Sequence, residues 1–102
     1  TLRTEFKAPK AKFVIATLGQ TKKDHVPEND QEKNEKLIID AKFAVDGKSG
    51  KYPDFKDNVS IVYTHPLNQG GASNSHYNGN AQTYMDVGLA MGEAMMKLLE
   101  KK

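Results

Sequence analysis

Two short apolar runs constrain this chain more than anything else in it. They are FVIATL at residues 13–18 and VSIVY at residues 59–63. Both are rich in β-branched residues, which pack well on a pleated surface and poorly in helices. Both are too short for helices of ordinary length. A helical pattern lies between them, and a second one follows. Strand, helix, strand, helix implies a crossover connection and a parallel pair of strands. The expected fold is therefore a small α/β unit of βαβα order.

The first helix is read from its start signal. Asn29 stands three residues ahead of Glu32, the spacing of a capping box. Leu37, Ile38, Ala41, Ala44 and Val45 then recur at helical spacing and are expected to face the core. Gly47 and Gly50 are expected to stop the helix. The last helix spans about residues 80–99 and carries two apolar stripes. Tyr84, Val87, Met91, Met95 and Leu98 form one; Met85, Leu89, Met96 and Leu99 form the other. A helix apolar on two sides is either deeply buried or in need of more protein than two strands supply. Gly88 and Gly92, four apart, would let another element come close. Residues 1–12 read as a linker or an edge segment, with Leu2, Thr4 and Phe6 alternating as in a possible third strand. Residues 13–102 form the α/β portion.

Composition excludes several classes of function. The 102 residues contain no cysteine, so disulfides, zinc–thiolate sites and thiol catalysis are ruled out. Fifteen Lys and Arg against thirteen Asp and Glu leave a net charge of +2. The basic residues are scattered and not interleaved with aromatics, so no nucleic-acid partner is expected. No apolar stretch reaches the ~18 residues of a membrane span, and none is expected. Residues 1–12 carry charge and lack the apolar region of a secretory signal. His25 and His65 have no ligand spacing around them, so they read as loop histidines and no metal is expected.

Chemistry concentrates in the polar loop at residues 65–78, which ends in HYNGNAQTY at residues 76–84. Loops of this length with little apolar content are often functional. The ordered series FVIATLG, helix, YPDF at 52–55, NVSIV at 58–62 and HYNxNAxTY at 76–84 resembles the C-terminal part of a sialate O-acetylesterase-like carbohydrate esterase of the SGNH hydrolase superfamily. The match runs over residues 13–99 and corresponds to the last third or so of such a domain. The resemblance implies a three-layer α/β/α sandwich and removal of acyl groups, typically acetyl, from sugars. It implies no cofactor, and a secreted or periplasmic location.

The same resemblance places His76 at the catalytic-base position. Tyr77, which can either stack on a sugar ring or pack under the loop, and Asn78 are the substrate-binding candidates. The family's serine nucleophile and oxyanion-hole residues belong to earlier blocks that this chain does not contain. Its partners would be an acylated carbohydrate and the missing N-terminal part of the domain or a second chain. The residue three before His76 is Ser73, where the family has an aspartate that orients the imidazole. Gly19-Gln20-Thr21 mimics the family's Gly-Gln-Ser nucleophile motif. Its strand and helix align with the family's late segments, however, so Thr21 is not assigned that role. The expectation is a chain that is inactive alone. The alternative is a non-catalytic, esterase-derived module that binds a glycan or a protein.

Overall fold

The computed structural model describes residues 1–19, 22–70 and 76–100. Five regular elements follow one another: α1 (Leu2–Glu5), β1 (Phe13–Ala16), α2 (Asp30–Ala44), β2 (Val59–Val62) and α3 (Ala81–Glu100). The two strands pair in parallel, with Phe13 opposite Val59 and Ala16 opposite Val62. A small parallel α/β unit is thus what the strand and helix patterns produce. No helix among the described residues is long and apolar enough to cross a membrane.

Strand alternation sends successive side chains to opposite faces. Phe13, Ile15 and Val59 line an apolar pocket with Leu2, Val45 and Phe55. Further along this face Tyr63 meets Phe43 of α2 edge-on, with ring centroids 5.7 Å apart. Ser60, on the other face, shares a groove with Leu98 of α3. The core is small: Ile39, Val59 and Leu98 are the buried apolar residues among those described.

α2 begins as its sequence demands. The Asn29 side chain accepts the Glu32 amide at 2.9 Å, satisfying one of the free donors of the first turn. The Glu32 carboxylate reaches back one residue further than a capping box requires and accepts the Glu28 amide at 2.7 Å. That hydrogen bond, and then His25 at 3.2 Å, hold the Glu32 carboxyl below the usual carboxylate range. A lowered carboxyl pKa contributes stability that is present near neutral pH and lost as the pH falls through the carboxylate range.

Two expectations are corrected here. The Leu37, Ile38, Ala41 stripe of α2 does not face the core: Leu37 is 68% exposed and Ile38 45%, whereas Ile39 is 1% exposed. The inner side of α2 carries Ile39 and Phe43, and Val45 just past its end lines the apolar pocket on the sheet. Lys42 Nζ donates to the Ala16 carbonyl at 3.2 Å, and Lys36 Nζ to the Lys23 carbonyl at 3.0 Å. Residues 2–6 do not add a third strand. The Thr1 hydroxyl accepts the Thr4 amide and starts one helical turn. Arg3 then pins that turn, donating to the Ala11 carbonyl and to Asn58 Oδ1, each at 2.9 Å.

The strands are closed at their carboxyl ends by a buried threonine pair. The Thr64 hydroxyl donates to the Thr17 carbonyl at 2.9 Å, and the Thr64 amide donates to the Thr17 hydroxyl at 3.0 Å. Both residues are buried. Thr17→Val leaves the Thr64 N–H without its acceptor in a dry site and is expected to cost about 2 kcal/mol. Thr64→Val removes the donor to the Thr17 carbonyl and the acceptor, 3.3 Å away, of the buried Thr17 hydroxyl, and is expected to cost a similar amount, about 2 kcal/mol. Urea denaturation checks both variants; a cost below about 0.5 kcal/mol for either would disprove this account of the pair.

Candidate functional site

In parallel α/β sheets, ligands bind outside the carboxyl ends of the strands. The chain emerging from β1 reaches Gly19 there, and the chain emerging from β2 reaches His65. Side chains from the second segment converge on the first: His65 Nδ1 lies 2.8 Å from the Gly19 carbonyl oxygen, and Asn68 Nδ2 donates to the same oxygen at 3.3 Å. The His65 ring stacks on Tyr63. His25 pairs with Glu32, as given above. Among the described residues, no group of three or more His, Asp or Glu could hold a metal ion.

The segment carrying His76 is fixed from three sides. The Tyr77 ring lies directly against Gly19, where a Cβ would overlap it, and its hydroxyl would stand 2.9 Å from that Cβ. Gly70 passes so close that its own Cβ would overlap the Tyr77 carbonyl. Tyr77 and Tyr84 pack edge to face, with centroids 5.3 Å apart, and the Tyr84 hydroxyl donates to the His76 carbonyl at 2.7 Å. Glycine at positions 19 and 70 is therefore required for close approach.

Below this segment, Asn80 caps α3. Its side-chain oxygen accepts the Thr83 amide at 2.8 Å and the Thr83 hydroxyl at 2.9 Å. The buried Thr83 hydroxyl in turn accepts the Gln69 amide at 2.9 Å. The helix start and the loop after β2 are thus one hydrogen-bonded unit, and His76 rides on it.

His76, Tyr77 and Asn78 all have positive φ, at 53°, 55° and 53°. Residues with a Cβ avoid this region, at a cost of roughly 1–2 kcal/mol each. Three in succession are held only because the surrounding contacts over-determine them, and such strain collects at functional sites. The result is specific: the His76 side chain is exposed, Tyr77 is half-buried, and Asn78 is exposed. His76 and Asn78 are presented to solvent at the sheet's carboxyl edge, while the Tyr77 ring is turned into the fold.

Ser73 and Thr21 lie outside the described residues. Sequence reasoning named His76, Tyr77 and Asn78 but missed Thr83, Asn68 and the Thr17–Thr64 pair. Asn80 before an apolar helix was a readable cap signal. The other residues are single polar positions whose roles depend on contacts 14 to 49 positions apart, for which spacing offers no sign. No family model matches the chain, and neither a curated protein nor a solved structure matches it.

Proposed function

We propose that this chain is the C-terminal portion of a carbohydrate O-acyl esterase, typically an acetylesterase, of the Ser–His type. His76 is its general base, Asn78 flanks the sugar, and Tyr77, packed on Gly19 and Tyr84, holds the segment in place. The observation that carries the reading is the strained run 76–78, which holds an exposed imidazole at the carboxyl edge of a parallel sheet. The series of segments resembling the esterase family over residues 13–99 supports it.

The chemistry follows from the residue types. A serine hydroxyl is a weak nucleophile until an adjacent imidazole takes its proton. The serine oxygen attacks the ester carbonyl, and the imidazolium returns the proton to the departing sugar oxygen. Water, deprotonated by the same imidazole, then releases the acyl group. The serine and the oxyanion donors come from outside these 102 residues. The reaction asks for no metal and no cofactor, and acylated sugars outside the cell fit a secreted or periplasmic protein.

The test compares two samples on an aryl acetate and on acetylated xylo- and sialo-oligosaccharides. The full-length protein is expected to hydrolyse them, and the isolated chain to be inert. Turnover by the isolated chain that vanishes in His76→Ala would sink the proposal. A second reading, a non-catalytic glycan- or protein-binding module, is favoured by Ser73 standing where the esterase family has its ring-orienting carboxylate. Binding of those oligosaccharides without hydrolysis by the full-length protein would establish it.

A further inference from the structure

Asn68 joins the two surfaces on which the His76 segment is seated. Its Nδ2 donates to the Gly19 carbonyl at 3.3 Å, and its Oδ1 accepts the Gly70 amide at 2.8 Å. The Tyr77 ring lies against Gly19, and the Tyr77 carbonyl lies against Gly70. One planar side-chain amide therefore sets the distance between the seat of the ring and the seat of its backbone. It also ties the chain leaving β1 to the chain leaving β2.

The two partners decide which way that amide faces. A carbonyl oxygen only accepts and a backbone N–H only donates, so Nδ2 faces Gly19 and Oδ1 faces Gly70. An ionised aspartate would offer acceptors alone, and a serine hydroxyl would have to serve both sides from a single atom. The Gly19 oxygen is held a second time, by His65 Nδ1 at 2.8 Å, and the His65 ring stacks on Tyr63. Losing Asn68 thus leaves Gly19 held by His65 and takes from the Gly70 amide its Asn68 acceptor. The disturbance falls on the side of Tyr77 where backbone meets backbone, beside the positive φ values of residues 76–78.

On the esterase reading given above, we infer that Asn68 is the positioning residue of His76. By tying Gly19 to Gly70 it holds the strained backbone at 76–78 in the arrangement that presents the imidazole to the reacting hydroxyl. Asn68 itself touches neither the substrate nor the reacting atoms; it acts through the Tyr77 segment. A general base works only within hydrogen-bond reach of the proton it takes. A misplacement of about 1 Å costs on the order of 100-fold in rate.

Asn68→Asp tests this in the full-length protein. The new side chain keeps an acceptor for the Gly70 amide but sets a carboxylate oxygen against the Gly19 carbonyl, where two acceptors repel. The kcat for an aryl acetate is expected to fall about 10- to 100-fold, with KM little changed. In a His76→Ala background the same substitution is expected to change kcat less than about twofold, because no imidazole is left to misplace. An asparagine that only stabilises the fold would lower activity equally in both backgrounds. Equal losses, or an unchanged kcat with His76 present, would overturn the inference. Asn68→Ala removes both hydrogen bonds without adding charge, and it gives the same comparison where Asn68→Asp does not fold. The segment is also read without turnover. Three-bond couplings between amide and α-protons report φ, and Asn68→Asp is expected to change them at residues 76–78 while leaving those of α2 as they were. That change in a protein that hydrolyses nothing keeps the hold of Asn68 on the segment and removes the esterase. Hydrolysis with kcat and couplings both unaltered by the substitution keeps the esterase and removes the positioning role.

Discussion

In the full-length protein, His76→Ala is expected to lower kcat for an aryl acetate by at least about 10³-fold, roughly 4 kcal/mol of transition-state stabilisation, with KM little changed. The size follows from the role. A base that takes the nucleophile's proton acts only on the way to the transition state, so its loss falls on kcat. The structure makes this substitution unusually clean. The His76 side chain is exposed, and what anchors the segment is its backbone carbonyl, held by the Tyr84 hydroxyl at 2.7 Å. That anchor survives truncation to alanine, and an exposed alanine leaves no cavity. Stability should therefore change by less than about 0.5 kcal/mol, the usual range for surface substitutions. Imidazole added to the solution should restore part of the lost rate in His76→Ala, because the vacated position is open to solvent. An unchanged kcat would remove His76 from the chemistry. A lost kcat with no imidazole rescue and a lowered melting temperature would make it a structural residue.

What could be read from the sequence follows from where the physical constraint is local. The strands were legible because a run of β-branched residues satisfies one requirement, burial on a pleated surface, that depends on few neighbours. The parallel pairing followed from the helix between them. The α2 start was legible because a cap is a contact between residues three apart: Asn29 accepts the Glu32 amide as its spacing requires. Facing was harder to read. Leu37, Ile38 and Ala41 of α2 are exposed, while Ile39 is buried, Phe43 meets Tyr63 and Lys42 reaches the end of β1. A periodic stripe identifies a face that wants cover, without saying which neighbour covers it. α3 gave the better reading because its two stripes demanded two partners, and the sheet supplies one. At the site, the HYNGNAQTY segment singled out the residues, but their geometry rests on Gly19 and Gly70. These glycines meet Tyr77 across 58 and 7 positions of chain. Nothing local marks a glycine as needed for a contact that far away.

Those two glycines should fail in different ways when substituted. A Cβ at Gly70 would overlap the Tyr77 carbonyl, which is backbone held in the strained run 76–78. Backbone there cannot yield without moving His76, so Gly70→Ala is expected to cost about 3 kcal/mol, the upper end for overpacking. At Gly19 the added Cβ would overlap the Tyr77 ring, a side chain that can rotate away if Tyr84 releases it. Gly19→Ala is expected to cost about 1–2 kcal/mol. A second substitution separates the cases. Tyr77→Ala removes the ring and keeps the carbonyl, so it should rescue Gly19→Ala with a coupling of at least about 1 kcal/mol and leave Gly70→Ala unrescued. Urea denaturation of the five variants closes both cycles. If Tyr77→Ala rescues neither glycine, the Tyr77 segment is not seated on the sheet's carboxyl edge, and His76 loses the rigid mount that its proposed role requires. If it rescues both, the segment yields as a whole, and the positive φ values at 76–78 are not held by Gly70.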